Sequence, residues 1–272
     1  MEANDQALLD RLVRAFAGVL GVRAVVLGGS RARGEAAAHS DYDIGLYYEP
    51  DEPIDVGRLA KAATTLPGPA TSSVTAIGEW GLWINGGAWL TVAGTRVDLL
   101  YRDLGKVRSV IEACRAGRIE RVYQPGHPHA FVSAIYMGEV ALCRVLWDPD
   151  QVMAPLRRQC EPYPAALSAA LIERFFWEAR FALQCAAHGR GKQDPAYVAG
   201  CAFRAIACLC QTLFALNRAY LLNEKGAVAG VERLARRPAD FAARAGRAIA
   251  AGADGLAELG RLVDETDALL KA

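Results

Sequence analysis

Three aspartates carry the clearest chemical signal in the sequence. Asp41 and Asp43 are one residue apart in Ser-Asp-Tyr-Asp-Ile, and Asp98 lies between apolar residues in Arg-Val-Asp-Leu-Leu. On a strand, the side-chain period of two places Asp41 and Asp43 on one face. Carboxylates about 4 Å apart repel by about 4 kcal/mol at an effective dielectric constant of about 20, so the group requires a cation, a shared proton or solvent. A hard divalent cation such as Mg²⁺ fits it best.

A glycine pair precedes these acids. Gly28 and Gly29 end the segment 22–27, whose β-branched residues predict a buried strand that runs into a tight turn. The paired glycines let the backbone approach a ligand closely, and N–H groups at the start of a following helix attract an anion such as phosphate. Ser30 and Arg31 add hydroxyl and guanidinium donors. The turn is therefore predicted to hold phosphate.

The elements that position these residues form a small α/β domain. Apolar residues recur at helical spacing near the start of the chain, and turn residues such as Asn85-Gly86-Gly87 separate alternating segments later on. The pattern predicts helices over 8–20, 31–38 and 54–65, strands over 22–27, 41–48 and 95–101, and hairpin-connected strands between 74 and 100.

Beyond Asp103 the strand signals fade and long helical patterns take over. They cover 167–188, 195–223, 228–234 and 238–270. We therefore predict an α+β fold, in which a small mixed β-sheet domain over residues 1–110 is followed by an all-α helical bundle over residues 111–272.

Composition limits the partners and the compartment. With 31 basic and 30 acidic residues the formal charge is +1, so no basic field favours a long nucleic acid. The seven cysteines form no CxxC pair, which indicates reduced core residues. No signal peptide and no uncharged membrane-length segment is recognised, so we expect a cytoplasmic protein without a membrane partner.

The order of these features resembles the DNA polymerase β-like nucleotidyltransferases. Their signature is an apolar residue, Gly, then Gly or Ser, a gap of about ten residues, and Asp-apolar-Asp on the next strand. Gly28-Gly29-Ser30 and Asp41-Tyr42-Asp43 match it, and Asp98 takes the place of the third acid. The motif resemblance covers about the first hundred residues. An α/β domain followed by helices is also similar to the antibiotic nucleotidyltransferases that modify aminoglycosides or lincosamides.

The resemblance implies transfer of a nucleoside monophosphate from a nucleoside triphosphate, with ATP favoured, to a hydroxyl of a small acceptor, with release of pyrophosphate. It assigns two Mg²⁺ ions to Asp41 and Asp43, and the catalytic metal to Asp98, which also helps to deprotonate the acceptor. Ser30 and Arg31 would hold the triphosphate, and so would Lys225, in a segment that ends a predicted helix. A homodimer stays open.

Other residues have two readings. Ser40 either contacts the ligand or caps a turn. The loop Pro125-Gly126-His127-Pro128-His129 either lines the acceptor pocket or is structural, and Glu139 is a lesser candidate for a general base. We expect Trp80, Trp83 and Trp89 to be core or sheet-face residues, not stacking platforms.

Two rival functions remain from the sequence. One is an enzyme that nucleotidylates a protein side chain, which the mass of the acceptor after reaction would reveal. The other is a non-catalytic, antitoxin-like nucleotide-binding module, against which the three intact acids argue.

Overall fold

The structure, a computed structural model, describes residues 3–37, 40–68 and 73–272. They form two compact units. The first consists of the described residues within Met1–Glu112 and Tyr136–Pro162, and the second consists of Ala113–Ile135 and Tyr163–Ala272. The chain is an α+β protein, as the sequence predicts, with a mixed sheet in the first unit and mostly helices in the second.

The first unit is built on five strands. They are β1 (Ala24–Leu27), β2 (Tyr42–Tyr48), β3 (Gly87–Val92), β4 (Thr95–Asp103) and β7 (Arg144–Trp147). Their order in the sheet is β3-β4-β2-β1-β7. Strands β2 and β4 are parallel, and the other neighbours are antiparallel.

The first unit also contains helices. They are α1 (Ala3–Phe16), α2 (Gly29–Ala32), α3 (Val56–Thr64), α4 (Gly81–Ile84), α5 (Leu104–Arg115), α6 (Ala134–Leu142) and α7 (Met153–Cys160), of which α5 and α6 each extend past a boundary of the unit. Leu12, Phe16 and Leu59 from α1 and α3 pack with buried strand residues such as Ile44 and Leu99. The core therefore lies on the sheet face that carries the even-numbered residues of β2 and the odd-numbered residues of β4.

The second unit contains the hairpin of β5 (Arg121–Gln124) and β6 (His127–Val132) and a group of helices. The helices are α8 (Ala165–Gly191), α9 (Pro195–Leu216), α10 (Ala227–Val231), α11 (Phe241–Ala250) and α12 (Leu256–Lys271). Helix α9 is long and apolar enough to cross a membrane, but 72% of its most apolar window is buried inside the protein. Such burial is that of a core helix.

The boundaries of the two units differ from the predicted single boundary, which lies between residues 110 and 111. Residues 136–162 join the first unit because β7 pairs with β1 at the edge of the sheet. This short strand gave no clear signal in the sequence. The assignment of catalytic and acceptor-binding roles to the two parts stays a prediction.

Several predicted elements were placed differently. The helix expected over 31–38 is the single turn α2, and Ala38 lies outside the described residues. Residues 74–86 form turns and α4 instead of a strand. The histidine loop is the turn and second strand of the β5–β6 hairpin. The helix expected over 238–270 breaks into α11, a 3₁₀ turn and α12 around Gly252, where φ is +56°.

Candidate active site

The three aspartates lie on the sheet face opposite the core. Asp43 on β2 pairs in register with Asp98 on β4, and Asp41 directly precedes β2 on the same face. Directly opposite residues of neighbouring strands share a face, so the carboxylates of Asp43 and Asp98 are neighbours across the ladder. We call Asp41, Asp43 and Asp98 the acidic face. The sequence predicted the residues, and the parallel β2–β4 pairing brings them together.

The electrostatics of the acidic face centre on Asp43. Its pKa is raised from 3.8 to about 6, and burial is the largest cause. The negative charges of Asp98, Asp41 and Glu139 raise the pKa of Asp43 further, whereas Arg33 opposes them. A carboxylate in this position is charged at neutral pH only at a cost in free energy, which a bound cation would remove.

Asp41 has an exposed partner. Its Oδ1 lies 2.6 Å from Nε of Arg96, which is 69% exposed. The contact lacks the alignment of a hydrogen bond, and Oδ1 is buried without a hydrogen-bond donor among the residues that the structure describes. An exposed arginine is easily displaced, because ion pairs at the surface contribute little free energy.

The glycine loop, residues Gly28 to Ser30, touches the acidic face directly. The N–H of Gly28 donates to the carbonyl of Asp43 at 2.7 Å. Gly29 has a φ of +61°, and a Cβ there would lie 1.7 Å from Oδ2 of Asp43. Only glycine fits this place without displacing the carboxylate. Ser30 follows, partly exposed, in the first turn of α2, whose leading N–H groups lack partners within a helix.

Arg31 and Ser40 hold the loop between the glycines and the first acid. The guanidinium of Arg31 donates from Nε and Nη2 to the carbonyl of Ser40, at 3.0 and 2.8 Å, and lies 3.9 Å from the centre of the Tyr42 ring. The Ser40 hydroxyl accepts from the N–H of Ala37. Ser40 therefore caps a turn, which is one of its two predicted readings, and Arg31 ties α2 to the start of β2.

Glu139 is held by a buried arginine. Both carboxylate oxygens accept from Arg102, each at 2.7 Å, and the Arg102 side chain is 3% exposed. Burial alone would lower the pKa of Arg102, but Glu139 raises it well above its ordinary value. Because both oxygens of Glu139 are occupied by the Arg102 guanidinium, this geometry favours a positioning role over the predicted role as a general base.

The remaining predicted residues belong to the second unit. His127 and His129 are on β6, and the backbone N–H groups of His129 and Ala130 donate to Glu224 at 2.8 Å. Lys225 is exposed, and its backbone N–H donates to the side chain of Asn223. The triphosphate-binding role of Lys225 stays a prediction.

His129 belongs to a buried cluster with Glu178 and Cys208, whose ligand atoms lie within 4.8 Å of one another. Such a group could hold a metal ion by distance. Glu178, however, already accepts from the guanidinium groups of Arg121 and Arg204, and burial lowers the pKa of His129. The negative charge is compensated by protein, so the cluster has the character of a structural ion pair.

The residues of the acidic face fit a divalent cation. They supply hard oxygen ligands, one of which is a buried oxygen without a hydrogen-bond donor in the described part of the chain. Their negative charges also lie close together around Asp43, and Gly29 leaves room for the Asp43 carboxylate. Asp41, Asp43 and Asp98 are the residues that would hold the cation.

Two neighbours of the acidic face were not recognised from the sequence. Arg96 pairs with Asp41, and Trp89 is 66% exposed in register with Asp98. Trp89 is a sheet-face residue, as expected, but its exposure beside Asp98 was not predicted. The sequence does contain a signal for both residues. Arg96 is two residues from Asp98 on β4, and Trp89 is opposite Asp98 across the β3–β4 hairpin, so both side chains are on the acidic face.

Comparison with known proteins agrees with the motif. Residues 8–117 match the family model described as nucleotidyltransferase domain. No curated protein is significantly similar to the sequence. A solved structure, a nucleotidyltransferase-like protein from Exiguobacterium sibiricum 255-15, aligns over 99% of this chain and 78% of its own, with 8% identity and a TM-score of 0.42. The chain is a transferase by this family match, and its residues 8–117 are similar to the nucleotidyltransferase domain.

Proposed function

We propose that the protein transfers a nucleoside monophosphate from a Mg²⁺-bound nucleoside triphosphate, with ATP favoured, to a hydroxyl group of a small molecule. The observation that carries the proposal is the direct contact between the glycine loop and the acidic face. Gly29 packs on Asp43, and Asp43 lies beside Asp98. The phosphate groups of a triphosphate bound to the glycine loop would therefore lie next to the carboxylates of the acidic face.

The reaction balances with the groups at hand. The acceptor oxygen forms a bond to the α-phosphorus, the bond from that phosphorus to the bridging oxygen breaks, and pyrophosphate leaves with the electron pair. The hydroxyl proton goes to a carboxylate, for which Asp98 is the candidate, and then to solvent. Binding, orientation and charge placement account for most of the catalysis in such displacements.

Each part of the site has a role in this scheme. The loop N–H groups of Gly29 and Ser30 bind phosphate oxygens, and Arg31 keeps the loop attached to the strand that carries Asp41 and Asp43. When bound, Mg²⁺ supplies positive charge that neutralises the triphosphate and the crowded carboxylates. Arg102 fixes Glu139, whose charge helps to set the pKa of Asp43.

A small acceptor is favoured over a polynucleotide. The formal charge of +1 provides no extended basic field for a phosphate backbone. The architectural similarity to antibiotic nucleotidyltransferases suggests aminoglycosides and lincosamides as the first acceptors to test.

The test is calorimetric binding of the four nucleoside triphosphates with Mg²⁺, followed by pyrophosphate release over a panel of aminoglycosides and lincosamides. We expect Mg²⁺-dependent binding of one triphosphate in the unmodified protein and its loss in the double variant Asp41→Ala, Asp43→Ala. Asp51→Ala, an exposed acid of the same unit, is the matched control for loss of negative charge. If no triphosphate binds, the catalytic proposal is wrong and a partner-binding role takes its place.

A further inference from the structure

Two tryptophans stack beside the acidic face. The rings of Trp80 and Trp89 have centroids 4.6 Å apart and an interplanar angle of 25°. Trp89 is 66% exposed although it lies in the middle of β3. A single exposed apolar residue needs no explanation, but an exposed indole that stacks on a second one presents a flat surface typical of ligand recognition. We call Trp80 and Trp89 the tryptophan pair.

The strand register places this pair relative to the acids. Trp89 on β3 is directly opposite Asp98 on β4, and Asp98 is directly opposite Asp43 on β2. With neighbouring strands about 4.8 Å apart, Trp89 is one strand from Asp98 and roughly 10 Å from Asp43. The glycine loop follows β1, on the opposite side of β2. Across the sheet the sequence of features is therefore loop, acids, tryptophan.

The local backbone is shaped to hold Trp80 in this position. A Cβ on Gly87 would lie 2.9 Å from Cζ3 of Trp80 and 1.8 Å from the carbonyl of Leu99, so glycine leaves the space that the indole occupies. Asn85, at a φ of +72°, accepts the N–H of Trp80 on its carbonyl and donates from its side chain to Tyr48. The tryptophan pair is therefore a fixed part of the first unit.

We propose that the tryptophan pair is the acceptor platform, which stacks against the apolar face of a ring-bearing hydroxyl compound such as an aryl or pyranose ring. This rests on the proposed function. In an in-line displacement the attacking hydroxyl lies opposite the leaving pyrophosphate. If the pyrophosphate is on the glycine loop, the acceptor approaches from the β3 side, where Trp89 is the exposed side chain next to Asp98.

The platform selects by shape. A ring that presents a face of C–H groups or a flat aromatic face can cover the whole exposed surface of the Trp89 indole. A linear hydroxyl compound or an exposed serine of a protein covers little of that surface. The proposal therefore favours ring-bearing small molecules over the protein acceptor that the sequence left open.

The test uses phenyl β-D-glucopyranoside, which offers an aryl and a pyranose ring, as the probe for binding to the full chain. Tryptophan fluorescence and saturation-transfer NMR measure its affinity. We expect Trp89→Leu to weaken binding by at least about tenfold and Trp89→Phe to retain most of it. Trp177→Leu is the matched control, because Trp177 is 62% exposed in the second unit and stacks on Phe181. Equal melting temperatures would show that the variants are folded.

Three outcomes overturn the proposal. They are no binding of the probe up to about 20 mM, equal binding by Trp89→Leu and the unmodified protein, and weaker binding of the Mg²⁺–triphosphate instead of the probe in Trp89→Leu. The last result would assign the pair to the nucleobase. Failure of the proposed function is distinct, because it would abolish triphosphate binding in the unmodified protein while the probe still tests the platform.

Discussion

The acidic face of the first unit and the buried Glu178 of the second unit treat negative charge in opposite ways. Glu178 is 5% exposed and accepts from Arg121 and Arg204. Burial would raise its pKa, but the two arginines lower it below its ordinary value. At Asp43 burial raises the pKa, and its neighbouring carboxylates raise it further. The difference separates a charge that stabilises a fold from one that is ready for a ligand.

The largest expected effect is on catalysis. We expect Asp43→Asn to lower pyrophosphate release by at least about 10³-fold, equivalent to about 4 kcal/mol in the activation barrier, because the amide keeps the shape and removes a charge that would hold Mg²⁺ in the proposed reaction. Glu178→Gln should leave kcat within about threefold in the folded protein. Steady-state kinetics of both variants test the comparison, and similar losses in the two would contradict it.

The position of the Asp43 carboxylate should matter as well as its charge. Gly29→Ala places a Cβ 1.7 Å from Oδ2 of Asp43, so the carboxylate must rotate away. We expect a loss of about 10²-fold in kcat/KM. Gly34→Ala is the control, because Gly34 also has a positive φ, of +72°, but nothing lies within 4 Å of its Cβ position. Equal losses in the two would attribute the effect to backbone strain alone.

The negative charge of Glu178 should contribute to the free energy of unfolding. Glu178→Gln leaves Arg121 and Arg204 without their anion, and we expect the free energy of unfolding to fall by about 1–3 kcal/mol. Glu173→Gln, an exposed position on the same helix, should change it by less than about 0.5 kcal/mol. Urea denaturation measures both. If Glu178→Gln leaves the free energy of unfolding unchanged, the charge of Glu178 does not stabilise the fold, and the contrast with the acidic face is wrong.

The smallest effect is a pH dependence with a defined sign. In the metal-free protein the folded state keeps a proton on Asp43 up to about pH 6, while the unfolded chain releases it near pH 4. The stability contribution of this group is therefore lost as pH rises from about 4 to about 6. Asp43→Asn should remove this loss and stabilise the metal-free protein at neutral pH by up to about 3 kcal/mol.

Melting temperature against pH, with and without Mg²⁺, measures this effect. Mg²⁺ should raise the melting temperature of the unmodified protein at neutral pH and leave Asp43→Asn unchanged. A destabilised Asp43→Asn in the absence of metal would show that the carboxylate is compensated within the protein, and the contrast with Glu178 would disappear.

The sequence by itself determined the motif. Gly28-Gly29 and the three acids are local or periodic features, because a glycine pair after a strand and a spacing of two on a strand have the same meaning in any fold. The predicted strands at 22–27, 41–48 and 95–101 correspond to β1, β2 and β4 for the same reason. The apolar periodicity of α1 and α3 likewise follows from the sequence.

Tertiary structure decided what lies next to what. Strand β7 and the parallel pairing of β2 with β4 depend on contacts far apart in the chain, for which short segments carry no signal. The pairing of Glu139 with Arg102, the compensation of Glu178, and the exposure of Trp89 beside Asp98 depend on the same long-range packing. A carboxylate or an indole has the same identity in every environment, and only its neighbours determine whether it supports the fold or meets a ligand.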